Sequence, residues 1–93
     1  MAKVTRTITT SNQWTDPVKL SGYFNISISG DWSGTITSQR SWDLGNTWLD
    51  VDTFTENTEE YGLEPEHTNT VYYRVGAADG DFSTGSASLR LSN

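Results

Sequence analysis

The sequence predicts an all-β protein: a small antiparallel β-sandwich of about seven strands, Ig-like or jelly-roll-like, in a single domain. Three observations support this prediction. Apolar and polar residues alternate with a period of two in several segments. Short turn-forming groups separate those segments. No segment shows the 3.6-residue apolar period of an amphipathic helix. A closed barrel is the main alternative architecture.

The predicted strands cover residues 3–10, 18–21, 23–29, 34–42, 47–55, 70–78 and 84–92. The clearest alternation is in 23–29, where Phe24, Ile26 and Ile28 are expected to face the core. The later strands are expected to direct inward Leu49, Val51, Val71, Tyr73, Val75, Ala87, Leu89 and Leu91. The turn signals are Asp16-Pro17, Ser29-Gly30-Asp31, Ser33-Gly34, Gly45-Asn46, Glu64-Pro65 and Asp79-Gly80-Asp81. The polar, acidic segment 56–69 predicts a long loop.

Length and composition place the chain in one small domain with a thin core. It has 93 residues, of which 33% are hydrophobic. It has no cysteine, which excludes disulfides and thiolate metal sites. No apolar run is long enough to cross a membrane as a helix. The first ten residues, MAKVTRTITT, lack the apolar core of a signal peptide, which predicts synthesis in a cytoplasm.

Charge is distributed unevenly along the chain. The net charge is −6, so the basic footprint of a non-specific nucleic-acid binder is absent. Residues 41–73 contain eight acidic residues and no Lys or Arg, whereas residues 1–40 contain four basic and two acidic residues. The acidic segment 41–73 is typical of a solvated surface. The polarity is also suited to orienting the protein on a partner or between its own copies.

Residues 41–48, SWDLGNTW, match the pattern S-x-D-x-G-x-T-W at each fixed position: Ser41, Asp43, Gly45, Thr47 and Trp48. This segment resembles the Asp-box, a hairpin motif of sialidase and other β-propeller blades that also occurs in unrelated β-proteins. The resemblance implies a structural turn rather than an active site. A propeller needs several such boxes and a much longer chain.

The physical chemistry of this segment also predicts a turn. Asp43 can accept hydrogen bonds from backbone N–H groups of the turn. Gly45 can adopt a positive φ without steric cost. Trp48 can place its ring under the turn.

A search for chemistry finds no catalytic constellation, cofactor motif or metal motif. His67 is a single histidine in the predicted acidic loop, where a solvated side chain is the ordinary outcome. Asp50 and Asp52 would share one strand face, where they could bind a cation weakly or stay hydrated, and hydration is the outcome we expect. We therefore predict a protein that is not an enzyme and has no cofactor or metal. Counting carboxylates does not exclude a small hydrolase, but no candidate pair can be named.

Two groups of residues are predicted as interface candidates. Residues 1–10 form a predicted N-terminal arm beside a sandwich domain of residues 11–93. Val4, Arg6 and Ile8 would let this arm add a strand to a neighbour's sheet edge. Three tryptophans near predicted strand ends or in an early loop are the second group: Trp14, Trp32 and Trp42. Such rings favour protein interfaces or sugar stacking, or else they cap a thin sandwich.

From Leu20 to Ser92 the chain resembles small virion proteins of tailed bacteriophages. The resemblance rests on GYFNISISG (22–30), WSGTI (32–36), QRSWD (39–43), TW (47–48), EE (59–60), GLEP (62–65), VYYR (71–74) and LRLS (89–92). It implies a non-enzymatic virion component made in the host cytoplasm, with capsid decoration (cement) as its role. The implied partners are the major capsid protein and copies of the chain itself, with a trimer favoured and no nucleic acid or membrane. The Trp and Tyr surplus favours an alternative, a carbohydrate- or host-binding module of a tail or fibre.

Overall fold

The computed structural model describes residues 2–65 and 71–93, which form two antiparallel sheets packed around one core. The prediction of a small antiparallel β-sandwich is confirmed. The described residues contain nine strands rather than seven. These are β1 (Lys3–Ile8), β2 (Gln13–Trp14), β3 (Val18–Lys19), β4 (Gly22–Gly34), β5 (Ile36–Ser41), β6 (Leu49–Phe54), β7 (Thr58–Glu64), β8 (Tyr72–Ala77) and β9 (Phe82–Ser92).

The first sheet has the strand order β1-β9-β4-β7. The second has the order β2-β8-β5-β6, and β3 pairs with β8 beside β2. Among the connections that cross from one sheet to the other, β1 to β2 and β6 to β7 each join two edge strands. The edges β1 and β2 therefore lie on one side of the sandwich, and the edges β6 and β7 lie on the other.

The core consists of side chains that alternate inward from both sheets. The predicted inward residues of β4, β8 and β9 are all buried, because each of these strands has a neighbour on both sides. The buried apolar residues are Ile8, Leu20, Phe24, Ile26, Ile28, Ile36, Phe54, Val71, Tyr73, Val75, Ala77, Phe82, Ala87, Leu89 and Leu91.

Two predicted inward residues, Leu49 and Val51, are instead exposed. They lie on β6, which is the outer strand of its sheet. The pairing of β5 with β6 also shifts register between Ser38 and Gln39, which oppose Asp52 and Asp50 respectively. Consecutive residues of β5 face opposite sides, so this bulge places Asp50 and Asp52 beside opposite faces. The prediction that the two carboxylates share one face is wrong.

The predicted loop 56–69 is also wrong in its described part, because β7 occupies Thr58–Glu64 and pairs with β4. Residues 66–69, including His67, lie outside the described residues. Strand β4 is longer than predicted and continues through both predicted turns between Ser29 and Gly34. Its pairing with β9 is close at Gly30, where a Cβ atom would lie 2.5 Å from the carbonyl oxygen of Ser86.

Candidate functional site

Hydrogen bonds within the 41–48 segment close the turn that joins β5 to β6. The Ser41 hydroxyl donates to Asp43 Oδ1 and accepts the N–H of Gly45, both at 2.8 Å. Asp43 Oδ1 also accepts the N–H of Thr47 at 2.8 Å. Gly45 has a φ of +89°, and a Cβ there would lie 3.5 Å from the Trp48 ring. The turn's polar groups are therefore directed at its own backbone.

The pKa of Asp43 reflects this arrangement. Desolvation raises it, but hydrogen bonds from Ser41, Thr47 and Asn46 outweigh desolvation and hold it below the ordinary value of 3.8. A lowered pKa means that the fold favours the carboxylate. The resulting stabilisation is present above the ordinary pKa and is lost as the pH falls through the lowered one.

Replacing Ser41 by alanine is expected to lower the free energy of unfolding by about 1–3 kcal/mol, because the N–H of Gly45 loses its acceptor at a buried position. Urea unfolding followed by tryptophan fluorescence measures the change. Ser29→Ala, on an exposed position of β4, is the matched control and should change stability by less than about 0.5 kcal/mol. Equal effects of the two substitutions would show that Ser41 does not organise the turn.

Arg74, on the outer face of the second sheet, lies between two tryptophan rings. Its Cζ is 4.3 Å from the ring centroid of Trp14 and 4.4 Å from that of Trp48. Arg74 Nε donates to Gln39 at 2.8 Å, and the Gln39 amide donates to Asp50 at 2.7 Å. This arrangement, which we call the Arg74 stack, connects β2, β8, β5 and β6. Burial lowers the pKa of Arg74, which nevertheless stays protonated.

The stack changes the interpretation of the tryptophans. Trp14 lies in β2 rather than in a loop, and its ring binds Arg74. Trp32 lies inside β4 and stacks on Phe82, with its Nε1 donating to Asn57 at 2.8 Å. Trp42 is 43% exposed. Of the three tryptophans predicted as interface residues, Trp42 is the one whose ring is most available to a partner.

The predicted N-terminal arm is integrated into this chain's own fold. Strand β1 pairs with β9 of the same chain along its whole length. Ile8 is fully buried in the core and is not available to a partner, and Val4 packs against the core. Arg6 donates from Nη1 to the Trp14 carbonyl at 2.7 Å and so joins the two sheets at this edge.

A buried ion pair joins the sheets at the opposite side. Arg40 on β5 donates to both carboxylate oxygens of Glu64 on β7, at 2.6 and 3.0 Å. The Tyr73 hydroxyl donates to the same carboxylate at 2.7 Å. Desolvation, together with the hydrogen bond and charge of Glu64, raises the pKa of Tyr73 well above 10. The sequence could not assign this group, because Glu64 was expected in a turn.

Several exposed apolar side chains lie at one end of the sandwich, where strands β4 and β6 begin and strands β5 and β7 end. Tyr23 opposes Leu63 across β4 and β7, and Leu49 opposes Arg40, whose ion pair with Glu64 links the two sheets. Two further side chains lie in the adjoining turn. We call this set the apolar end: Tyr23, Trp42, Leu44, Leu49 and Leu63.

The outer face of the first sheet carries a shallow depression of about 440 Å³. Hydroxyl side chains from β1, β4 and β9 line it together with Arg90 and Glu59. Ser27 donates to Glu59 at 2.5 Å. The exposed rings of Tyr23 and Tyr61 follow along the same face, with centroids 5.9 Å apart. The depression is polar, with an aromatic pair near it.

Within residues 2–65 and 71–93, no cluster of three or more His, Asp or Glu side chains is suited to holding a metal ion. The same residues contain no helix that could span a membrane. Comparison of the chain with family models, curated proteins and solved structures gives no match.

Proposed function

We propose that this protein is a non-enzymatic virion component, a decoration (cement) protein that binds the outer surface of a bacteriophage capsid. The proposal rests on the resemblance of residues 20–92 to small tailed-phage virion proteins. The single structural observation that supports it is the apolar end. In a chain that is only 33% hydrophobic, five large apolar side chains are left exposed at one end. Such groups are typical of protein-binding surfaces.

The polar groups of the chain support a binding role rather than catalysis. Arg40 is paired with Glu64, Arg74 lies between two rings, and Asp43 accepts hydrogen bonds from its own turn. These contacts stiffen the sandwich and its turn, which suits a module that docks as a rigid body. We propose the major capsid protein as the partner, the virion as the location, and a homo-oligomer, with a trimer favoured, as the assembled form.

A double substitution at the apolar end, Leu44→Glu with Leu49→Glu, is expected to weaken capsid binding at least tenfold, or about 1.4 kcal/mol. In the complex, two carboxylates would be buried against the capsid where the leucines make apolar contacts. The test is co-sedimentation of the labelled chain with phage heads from which it has been deleted, followed by imaging of the particles. Both residues are exposed, so the fold should persist.

The matched control is Ser83→Glu with Thr84→Glu, which adds the same charge at exposed positions at the other end of the sandwich. Binding by this control should match that of the unsubstituted chain. Absence of the chain from purified heads, or equal binding by both double variants, would contradict the proposal.

The second candidate function is a carbohydrate-binding module of a tail or fibre. It is favoured by the Tyr23–Tyr61 pair beside the polar depression, in which the two residues are 69% and 72% exposed. Glycan-array binding that is lost in Tyr61→Ala or Trp42→Ala would support it, and no binding to any glycan would remove it. Trp32 is not a suitable test residue, because its ring stacks on Phe82.

A further inference from the structure

Two strands of the first sheet, β1 and β7, have an edge that pairs with no other strand of the described chain. The Asn93 N–H donates to the Ala2 carbonyl, so the backbone groups of Ala2 face β9. Backbone groups alternate in direction along a strand, so those of residues 4, 6 and 8 also face β9, whereas those of residues 3, 5 and 7 face the open edge. An open edge of this kind is a template for another strand.

The two open edges carry opposite charge. Strand β1 contains Lys3 and Arg6 and no acidic residue, whereas β7 exposes Glu59 and Glu60. In the second sheet the β1 side carries Lys19 and Asp16, whose charges balance, whereas the β7 side carries Asp50 and Asp52. The acidic character of the β7 side therefore extends to both sheets. Pairing β1 with β1, or β7 with β7, would place like charges together, so charge favours contact between unlike edges.

Strand direction favours the same contact. Each strand of the β1-β9-β4-β7 sheet is antiparallel to its neighbour, so β1 and β7 run in opposite directions. A second copy rotated about an axis along the strands therefore brings its β1 antiparallel to β7 of the first copy. When the paired residues are followed across the sheet from β1 to β7, Lys3 is aligned with Tyr61, and Thr5 is aligned with Glu59. Lys3 then lies diagonally across from Glu59 on the outer face, within reach of a long side chain.

We propose that copies of this chain associate head to tail, with β1 of one copy extending the sheet of the next at β7. This association rests on the homo-oligomer proposed above, for which it names the contacting strands, and it does not require binding to a capsid. If the rotation between successive copies brings the last copy back to the first, the assembly is a closed ring; if it does not, the assembly is an open filament. Val51 and Tyr61, exposed on the β7 side, become partly covered by the neighbour.

Sedimentation velocity of the full chain tests the proposal, at about 20 mM and about 500 mM NaCl across a concentration series. The expected result is an assembly that grows with protein concentration and weakens at high salt. Lys3→Glu and Glu59→Lys should each weaken association by about tenfold, and the double variant should recover to within about threefold of the unsubstituted chain. Arg90→Glu makes the same charge change as Lys3→Glu on β9, one strand in from the open edge of β1, so it should weaken association by no more than about threefold.

Thr5→Pro tests whether the contact is a strand pairing. It removes an N–H that faces the open edge while leaving the β9 bonds in place, so association should fall by about tenfold or more with the fold retained by circular dichroism. A monomer at every concentration, or an association equally weakened by Arg90→Glu and Lys3→Glu, would overturn the proposal. A folded Thr5→Pro variant that associates normally would also overturn it, and the charge variants decide the matter if that variant does not fold.

Discussion

Replacing Glu64 by alanine is expected to lower the free energy of unfolding by about 3–5 kcal/mol, the largest effect of any substitution considered for this protein. The carboxylate is fully buried and accepts from Arg40 and Tyr73. Its loss removes the carboxylate that pairs with the partly buried guanidinium and that accepts the hydrogen bond from the Tyr73 hydroxyl. For a domain of this size the melting temperature should fall by roughly 4–8 °C per kcal/mol.

Urea and thermal unfolding measure this change, and Glu60→Ala is the matched control. Glu60 lies on the same strand and is exposed, so its replacement should change stability by less than about 0.5 kcal/mol. Glu64→Gln keeps an acceptor and removes the charge, and should fall between the two. Replacing both partners, Arg40→Leu with Glu64→Leu, should recover only part of the loss, because it removes both charges but still leaves the buried Tyr73 hydroxyl without the Glu64 acceptor. Glu64→Ala as mild as Glu60→Ala would refute the structural role of the pair.

Replacing Gly76 by alanine is expected to destabilise the protein by about 2–4 kcal/mol, from overpacking and from loss of the Arg74 stack. A Cβ at this position would lie 2.2 Å from the Gln13 carbonyl oxygen and 2.7 Å from the Trp14 Cα. Both are backbone atoms, so β2 must move away from β8. That movement also separates the Trp14 ring from Arg74.

Near-UV circular dichroism should report the displaced tryptophan, and urea unfolding the lost stability. Gly80→Ala is the control: Gly80 has open space around it, so only its φ of +78° is strained, at about 1–2 kcal/mol. Adding Trp14→Ala to Gly76→Ala should not restore stability, because the nearest clash is with the Gln13 backbone. An unchanged aromatic spectrum in Gly76→Ala would contradict the steric argument.

Gly62 and Glu64 show why the sequence did not predict strand β7. The segment Thr58–Glu64, TEEYGLE, has Glu60, Gly62 and Glu64 at its inward positions. None of these is apolar, so the alternation that marks a strand is absent. Gly62 is needed because the Phe24 ring lies where its Cβ would be, at 2.5 Å, and Glu64 is inside because Arg40 neutralises it. Both reasons lie on other strands.

The sequence also did not identify the role of the tryptophans. A two-residue strand such as β2 is too short to show a period, so Trp14 was expected in a loop. Arg74 was expected on the outer face by its alternation with Val75, but the two rings on either side of it come from residues far away along the chain.

Local chemistry determined the sandwich itself. Side chains of a strand alternate between faces, so the spacing of Phe24, Ile26 and Ile28, and likewise of Leu89 and Leu91, was enough to predict buried strands and an all-β fold. Tertiary structure alone decided which strands lie at the edges, and so left Leu49 exposed, buried Glu64 and set the charged edges of β1 and β7 on opposite sides. Those outcomes depend on pairing between distant segments, and that pairing leaves no periodic signal in either segment alone.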